Sequence, residues 1–131
     1  MALATPVQWV DIDLSFIPIP GSGDLPVKRN DEAIKAAVRN LVLTAHYEVP
    51  FHSEQGSDVP GMLFSDFNPV TIYAIQDSIT NLIDTYEPRA QVNSVQVVAD
   101  PDNNYITIVI VFTPINSNTP VTVTIPLQRT R

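Results

Sequence analysis

Carboxylate and imidazole side chains gather in one proline- and glycine-punctuated stretch near the middle of this chain. Glu48 could act with Glu54 or Asp58 in glycoside hydrolysis, which needs two carboxyl groups at a set separation and one raised pKa. His46 and His52 lie six residues apart, a loose match to the spacing of metal ligands. No spacing enforces either arrangement, and such residues commonly solvate a loop. We therefore expect neither a catalytic site nor a metal site here.

Other catalytic signatures are absent from the sequence. No glycine-rich phosphate loop occurs, and no serine lies in a nucleophile-elbow context. Cysteine is absent, which excludes disulfides, thiolate nucleophiles and cysteine metal sites. The sequence therefore predicts a protein that is not an enzyme and needs no cofactor.

Tyr86-Glu87-Pro88-Arg89 combines charge and rigidity at a joint between two predicted elements. A helical pattern ends here, because the residue before a proline is disfavoured in the α region. Two interpretations stay open for Arg89. It either caps its own helix or pairs with Glu87, or its planar fork of donors grips a group on another subunit. In the second case Pro88 fixes the direction of the fork.

Length and charge narrow the class of protein. The 131 residues fit one domain, 1–131, and 44% of them are hydrophobic, enough for a core. The apolar runs are too short to cross a bilayer, and the first residues lack a signal-peptide pattern. A formal net charge of −7 should repel nucleic acid and anionic lipid. We expect neither as a partner.

Residues 1–29 predict an extended N-terminal arm, because prolines interrupt any long helix. Within the arm Val10, Ile12, Leu14 and Phe16 alternate with polar residues, which indicates a half-buried extended segment. Gly21-Ser22-Gly23 then favours a turn.

Two main helices follow the arm. Asn30 is the expected N-cap of a helix over 31–45, and Asn68-Pro69 is the expected start of a second helix that ends before Pro88. Between them, Met62-Leu63-Phe64 predicts an apolar knob packed as a short helical turn. Both main helices carry apolar residues at helical spacing on one face.

The rest of the chain predicts an antiparallel three-stranded meander. Strand 105–113 has apolar residues on both faces and should be central. The last strand has one apolar face, formed by Val121, Val123, Ile125 and Leu127. Its edge either pairs with another chain or is blocked by Pro126 and the terminal charges Arg129 and Arg131. The predicted fold class is α+β, with the helices packed on the meander.

Taken in order, several motifs resemble those of the baseplate wedge, or sheath-initiator, family of contractile phage tails, once called lysozyme-like. The resemblance covers about residues 24–127. The motifs are Asp31-Glu32, Leu43-Thr44, Glu48-x-Pro50-Phe51, Gly56-Ser57, Leu63-Phe64, Asn68-Pro69 and Tyr86-Glu87-Pro88-Arg89. Family members usually have Gly-Glu-Arg where this chain has Tyr47-Glu48-Val49, so the ion pair of that arginine is missing.

The resemblance implies a structural protein of the virion tail baseplate, assembled in the host cytoplasm. It implies that Glu87, Pro88 and Arg89 contact the wedge scaffold proteins in a core bundle. It also implies that strands 105–113 and 120–127, with Val121, Val123, Ile125 and Leu127, present an edge to the tail sheath protein. The tail tube or hub is a further possible partner. The alternatives are a lysozyme-like peptidoglycan hydrolase and the equivalent part of a type VI secretion or other contractile injection machine.

Overall fold

A computed structural model describes residues 8–128 of the chain. Three helices and five strands follow one another in the order β1 (Val10–Ile12), β2 (Val27–Arg29), α1 (Asp31–Leu43), α2 (Val59–Met62), α3 (Pro69–Tyr86), β3 (Ala90–Asp100), β4 (Tyr105–Pro114) and β5 (Val121–Gln128). This order confirms the predicted α+β class, with two main helices before an antiparallel meander. None of the helices within residues 8–128 is long and apolar enough to cross a membrane.

The meander has the order β3-β4-β5, so the prediction that strand 105–113 is central is confirmed. Both pairings are antiparallel, and Ile108 of β4 lies opposite Val97 of β3 and Ile125 of β5. The register between β3 and β4 shifts between Val92 and Ser94, which indicates a β-bulge. Alternate residues of β4 are buried: Ile106, Ile108, Ile110 and Phe112.

The core lies between this face of the sheet and the apolar stripes of the two main helices. The buried positions of α1 are Ala33, Ile34, Val38, Leu41 and Val42, and those of α3 are Ile75, Ile79, Leu82 and Ile83. Full burial of a side chain of this size contributes about 1.5–3 kcal/mol. The packed stripes therefore fix α3 against the sheet and place the joint at Glu87 next to the first residues of β3.

The two helix starts differ from each other. Asn68 caps α3 as predicted, since its Oδ1 accepts a hydrogen bond from the Thr71 N–H at 2.8 Å. The prediction that Asn30 caps α1 is wrong. Asn30 has a φ of 49°, and its Oδ1 accepts instead from the Trp9 N–H at 3.3 Å. The side chain therefore ties the arm to α1 rather than closing the helix.

Helix α1 also ends earlier than the predicted residue 45. Thr44 is extended, and its backbone N–H and its hydroxyl both donate to the Asn40 carbonyl oxygen. The short helix α2 covers only part of the predicted knob. Leu63 is buried, whereas Phe64 is 63% exposed. The prediction that Phe64 packs as part of the knob is therefore wrong.

The arm folds as a hairpin in which β1 pairs with β2, but its faces are the reverse of those predicted. Val10, Ile12, Leu14 and Phe16 are 48–60% exposed, and Asp11 and Asp13 are half-buried. The reason is electrostatic. The Asp13 carboxylate lies 3.7 Å from Lys28 Nζ, and the Asp11 carboxylate lies 3.6 Å from Arg89 Nη2. Two cations thus attract the polar face of the arm inward, and the prediction of an apolar inner face is wrong.

Candidate functional site

Glu87 forms the joint between α3 and β3. Its N–H donates to the Ile83 carbonyl oxygen at 2.8 Å, which closes the last turn of the helix. Its own carbonyl oxygen accepts from the Ala90 N–H at 3.0 Å, which begins the strand. Pro88 cannot continue the helix and is exposed. The predicted helix end at Glu87 is confirmed, and the Glu87 residue is only 6% exposed.

Arg89 grips Glu87 with two hydrogen bonds in a fork. Arg89 Nε donates to Glu87 Oε1 at 2.6 Å, and Nη2 donates to Oε2 at 2.8 Å. The hydrogen bond to Glu87 raises the pKa of Arg89 above its usual value, against the opposing effect of burial. Of the two interpretations of Arg89, the structure therefore supports the one in which Arg89 pairs with Glu87 within the chain.

The guanidinium also anchors the N-terminal arm. Its carbon atom lies 5.2 Å from the centre of the Trp9 ring, and Nη2 lies 3.6 Å from Asp11 Oδ2. A cation over an aromatic face is attracted by the ring quadrupole. Trp9 and Asp11 thus belong to the site, although no local sequence signal links them to a motif so far along the chain.

Little of Arg89 is left for a partner. Its side chain is 21% exposed, and no hydrogen bond among residues 8–128 uses Nη1. Exposed residues nearby include Pro88 and Ile115, of which Ile115 is 64% exposed. The Ile115 N–H donates to the Arg89 carbonyl oxygen at 2.9 Å, so the turn after β4 is fixed to the joint. Pro88 and Ile115 line an open groove of about 560 Å³.

The residues predicted to contact the sheath lie on the edge strand β5, but their side chains face the core. Val121, Val123 and Ile125 are buried and Leu127 is partly buried. Strand β4 pairs on both sides, so the prediction that strand 105–113 also presents an edge is wrong. Only backbone groups of β5 are available for strand addition.

Pro126 indicates which backbone groups of β5 point away from β4, toward the open edge of the sheet. Proline has no N–H and is tolerated where the N–H would point away from the ladder. Backbone groups alternate in direction along an antiparallel strand. Thr122 and Thr124, which share the phase of Pro126, should therefore direct N–H and C=O groups to the open side. Their side chains are exposed.

Of the candidate histidine and carboxylate residues, His46, Glu54 and Asp58 line an open depression of about 380 Å³ together with Tyr47 and Ser53, and His52 does not line it. Glu48 is not among them, because its Oε2 accepts from the Ala45 N–H at 2.8 Å. His46 Nε2 lies 3.4 Å from Asp58 Oδ1. Within residues 8–128 no group of three or more side chains could hold a metal ion.

Solved structures of a tail protein and of a baseplate protein share this fold. A Geobacter sulfurreducens protein named as a candidate tail lysozyme is 22% identical, with a TM-score of 0.69 over 77% of this chain and 92% of that chain. A chain of the anti-feeding prophage baseplate is 16% identical, with a TM-score of 0.65 over 91% of this chain and 84% of that chain. This chain therefore shares its α+β fold with both of these proteins.

The chain belongs to the family of baseplate wedge protein gp25, whose model matches residues 28–119. The baseplate wedge protein gp25 of Enterobacteria phage T4 is 27% identical over 85 residues, which are 65% of this chain. The match spans 64% of that relative, just under two thirds of its length. The resemblance drawn from the ordered motifs is confirmed, as is the expected location in the virion tail baseplate.

Proposed function

We propose that this protein joins the wedge scaffold proteins through the Glu87-Pro88-Arg89 joint and templates the first sheath ring by β-strand addition at β5. The observation that carries the proposal is the rigidity of the joint. Glu87 and Arg89 satisfy each other, and the Arg89 carbonyl oxygen holds the turn that bears Ile115. The exposed Pro88 and Ile115 are therefore held at fixed positions, which lowers the entropy lost on docking.

This assignment divides the motif into two parts. Glu87 and Arg89 build the joint, and Pro88 with the neighbouring Ile115 contacts the wedge scaffold proteins. The Nη1 group of Arg89 can donate to a partner carbonyl without breaking the pair with Glu87. The tail tube or hub remains a further partner of the same baseplate region.

The wedge contact is tested by Ile115→Asp. A charge placed in an apolar contact must lose its water, so we expect co-assembly with wedge scaffold proteins from the same gene cluster to weaken about tenfold or more. Val70→Asp is the matched control, because Val70 is also an exposed apolar residue, 78% exposed, at the far end of α3. Titrations followed by light scattering would measure both. Equal loss in the two variants, or none in either, contradicts the docking assignment.

The sheath contact is tested by Thr124→Pro. This change removes one outward N–H from β5 and leaves the pairing with β4 intact. We expect sheath polymerisation on wedge complexes to stop while wedge binding continues. Thr124→Ala is the control, because it removes the hydroxyl and keeps the N–H. Electron microscopy counts the tails that carry sheath. Normal sheath growth on Thr124→Pro complexes would show that β5 receives no strand there.

We also infer that the protein is not an enzyme, although one structural relative is named as a candidate tail lysozyme. A general acid for glycoside hydrolysis needs a carboxyl group whose pKa is raised by burial. Glu54 is exposed, and the Asp58 side chain is 61% exposed. Clearing of cell-wall substrate, abolished by a single carboxylate substitution, would establish the hydrolase instead. A role in another contractile injection machine would involve the same contacts, and only the genomic neighbours would differ.

A further inference from the structure

Positive charge is concentrated beside the free edge of β5. The chain has seven basic residues and a net charge of −7. Three of these cations, Lys28, Lys35 and Arg39, line one groove of about 190 Å³ together with a single carboxylate, Glu32, and with Thr122 and Thr124 of β5. A cationic groove on an acidic protein attracts a partner that the rest of the surface repels.

The walls of this groove come from three elements. Lys35 and Arg39 lie one helical turn apart on α1, with Ala36 beside them, and Lys28 belongs to β2. The opposite wall is the segment 122–124 of β5. A strand added to this edge would continue the sheet beside β5, with one of its faces toward α1. Every second side chain of such a strand would extend toward the cations, because side chains alternate between the two faces.

These cations make few ion pairs with other residues of the described chain. Lys35 pairs with Glu32 at 3.0 Å on the surface of α1, and Lys28 lies 3.7 Å from Asp13. Arg39 is exposed and makes no ion pair among residues 8–128. An exposed pair such as Lys35–Glu32 contributes little to stability, so a partner carboxylate can replace Glu32 there without disturbing the fold, whereas Lys28 stays with Asp13 of the arm.

We propose that the groove selects an acidic extended segment, added as a strand to β5 with carboxylates at alternate positions facing Lys35 and Arg39. This inference rests on the proposed strand addition and names the chemistry of the added strand. Backbone hydrogen bonds to Thr122 and Thr124 do not depend on the partner's sequence. Selection among strands must therefore come from side chains, and here three of the four charged lining side chains are basic, while the fourth, Glu32, is paired with Lys35.

The test uses a peptide of about eight residues that alternates glutamate with valine, and a lysine–valine peptide of the same length. Fluorescence anisotropy of labelled peptides would measure binding to the full chain at low salt. We expect the acidic peptide to bind, its affinity to fall as salt is raised, and the basic peptide not to bind. Arg39→Glu should lower the affinity for the acidic peptide about tenfold and raise that for the basic peptide.

Arg29→Glu is the matched control. It makes the same change of charge on an exposed residue of β2 that does not line the groove, so it should leave peptide binding nearly unchanged. Circular dichroism would verify that both variants fold. Equal effects of Arg39→Glu and Arg29→Glu would show attraction by net charge alone and overturn the inference. Binding of both peptides equally to the unaltered chain would also overturn it.

Failure of this inference can be told apart from failure of the proposed function. If Thr124→Pro stops sheath growth and Arg39→Glu does not slow it, strand addition stands and selection by charge is wrong. If Thr124→Pro has no effect, strand addition itself is wrong. Sedimentation would show whether the free chain dimerises in a way that Arg39→Glu abolishes; that result would assign the groove to a second copy and overturn the acidic partner.

Discussion

Replacing Arg89 with alanine should lower the free energy of unfolding by about 2–4 kcal/mol. The substitution leaves the carboxylate of Glu87, a residue that is 6% exposed, without its two hydrogen bonds. It also removes the cation that lies over Trp9 and beside Asp11. Urea unfolding followed by Trp9 fluorescence would measure the loss and would report on the arm at the same time.

Three further variants separate the causes of this loss. Arg89→Lys keeps the charge but cannot reproduce the planar fork, so its loss should be intermediate. Arg29→Ala removes an exposed arginine and should change stability by less than about 0.5 kcal/mol. In Glu87→Gln combined with Arg89→Ala, no buried charge remains, so the double variant should lose less than the sum of the single changes. A loss in Arg89→Ala no larger than that in Arg29→Ala would show that the fork carries no stability.

This expected result changes how Arg89 can be used to study assembly. The resemblance implied an arginine held out toward a wedge subunit, whereas the guanidinium is already paired inside the chain. Loss of wedge binding in Arg89→Ala would combine a weakened fold with a lost contact. Ile115→Asp avoids this ambiguity, because Ile115 is 64% exposed.

Local signals in the sequence predicted the elements whose limits are set locally. Asn68-Pro69 begins α3 because the amide oxygen caps the helix next to a proline that needs no partner for its nitrogen. Pro88 ends α3 because the residue before a proline is disfavoured in the α region. The two-faced apolar pattern of 105–113 identified the central strand correctly, because a strand paired on both sides also shields much of its outer face.

The failures occurred where a distant residue decided the outcome. Periodicity predicted that the apolar residues of β1 face inward, but Asp11 turns toward Arg89, which lies between α3 and β3, far from β1 in the sequence. Asn30 is of a residue type that commonly caps helices, but its side-chain oxygen accepts a hydrogen bond from the Trp9 N–H instead. A sequence pattern contains no information on which charged group lies opposite a segment after folding. The same limit explains why Trp9 and Asp11 were not predicted as parts of the joint.

For β5, the sequence pattern predicted which side chains face the core. Alternation of valine and threonine already implied that the valines face the core, and the structure buries Val121 and Val123. The side chains predicted to contact the sheath protein therefore pack in the core of this chain. The partner-facing groups are the backbone atoms between them, which belong to Thr122 and Thr124.

Gly56→Ala should lower the free energy of unfolding by about 2–4 kcal/mol. Gly56 is buried and has a φ of 144°, a conformation that residues with a Cβ rarely adopt. A Cβ at this position would lie 2.7 Å from the carbonyl carbon and oxygen of Ala45 and 2.9 Å from the His46 nitrogen. Since all three are backbone atoms, a side-chain rotation cannot relieve the overlap. The loop would have to move away from the end of α1.

That movement would break the contacts that hold the loop. The Ser57 N–H donates to the Thr44 carbonyl oxygen at 2.8 Å, and the buried Ser57 hydroxyl donates to the Val42 carbonyl oxygen. Gly61→Ala is the control, because a Cβ there meets nothing within 4 Å and Gly61 lies in α2, so alanine should be neutral or slightly stabilising. Chemical unfolding of both variants, with wedge binding measured below the unfolding midpoint, decides two questions. Equal stability of the two variants would contradict the close approach at Gly56. A destabilised Gly56→Ala that still binds wedge proteins would show that the histidine- and carboxylate-bearing loop supports the end of α1 and takes no part in docking.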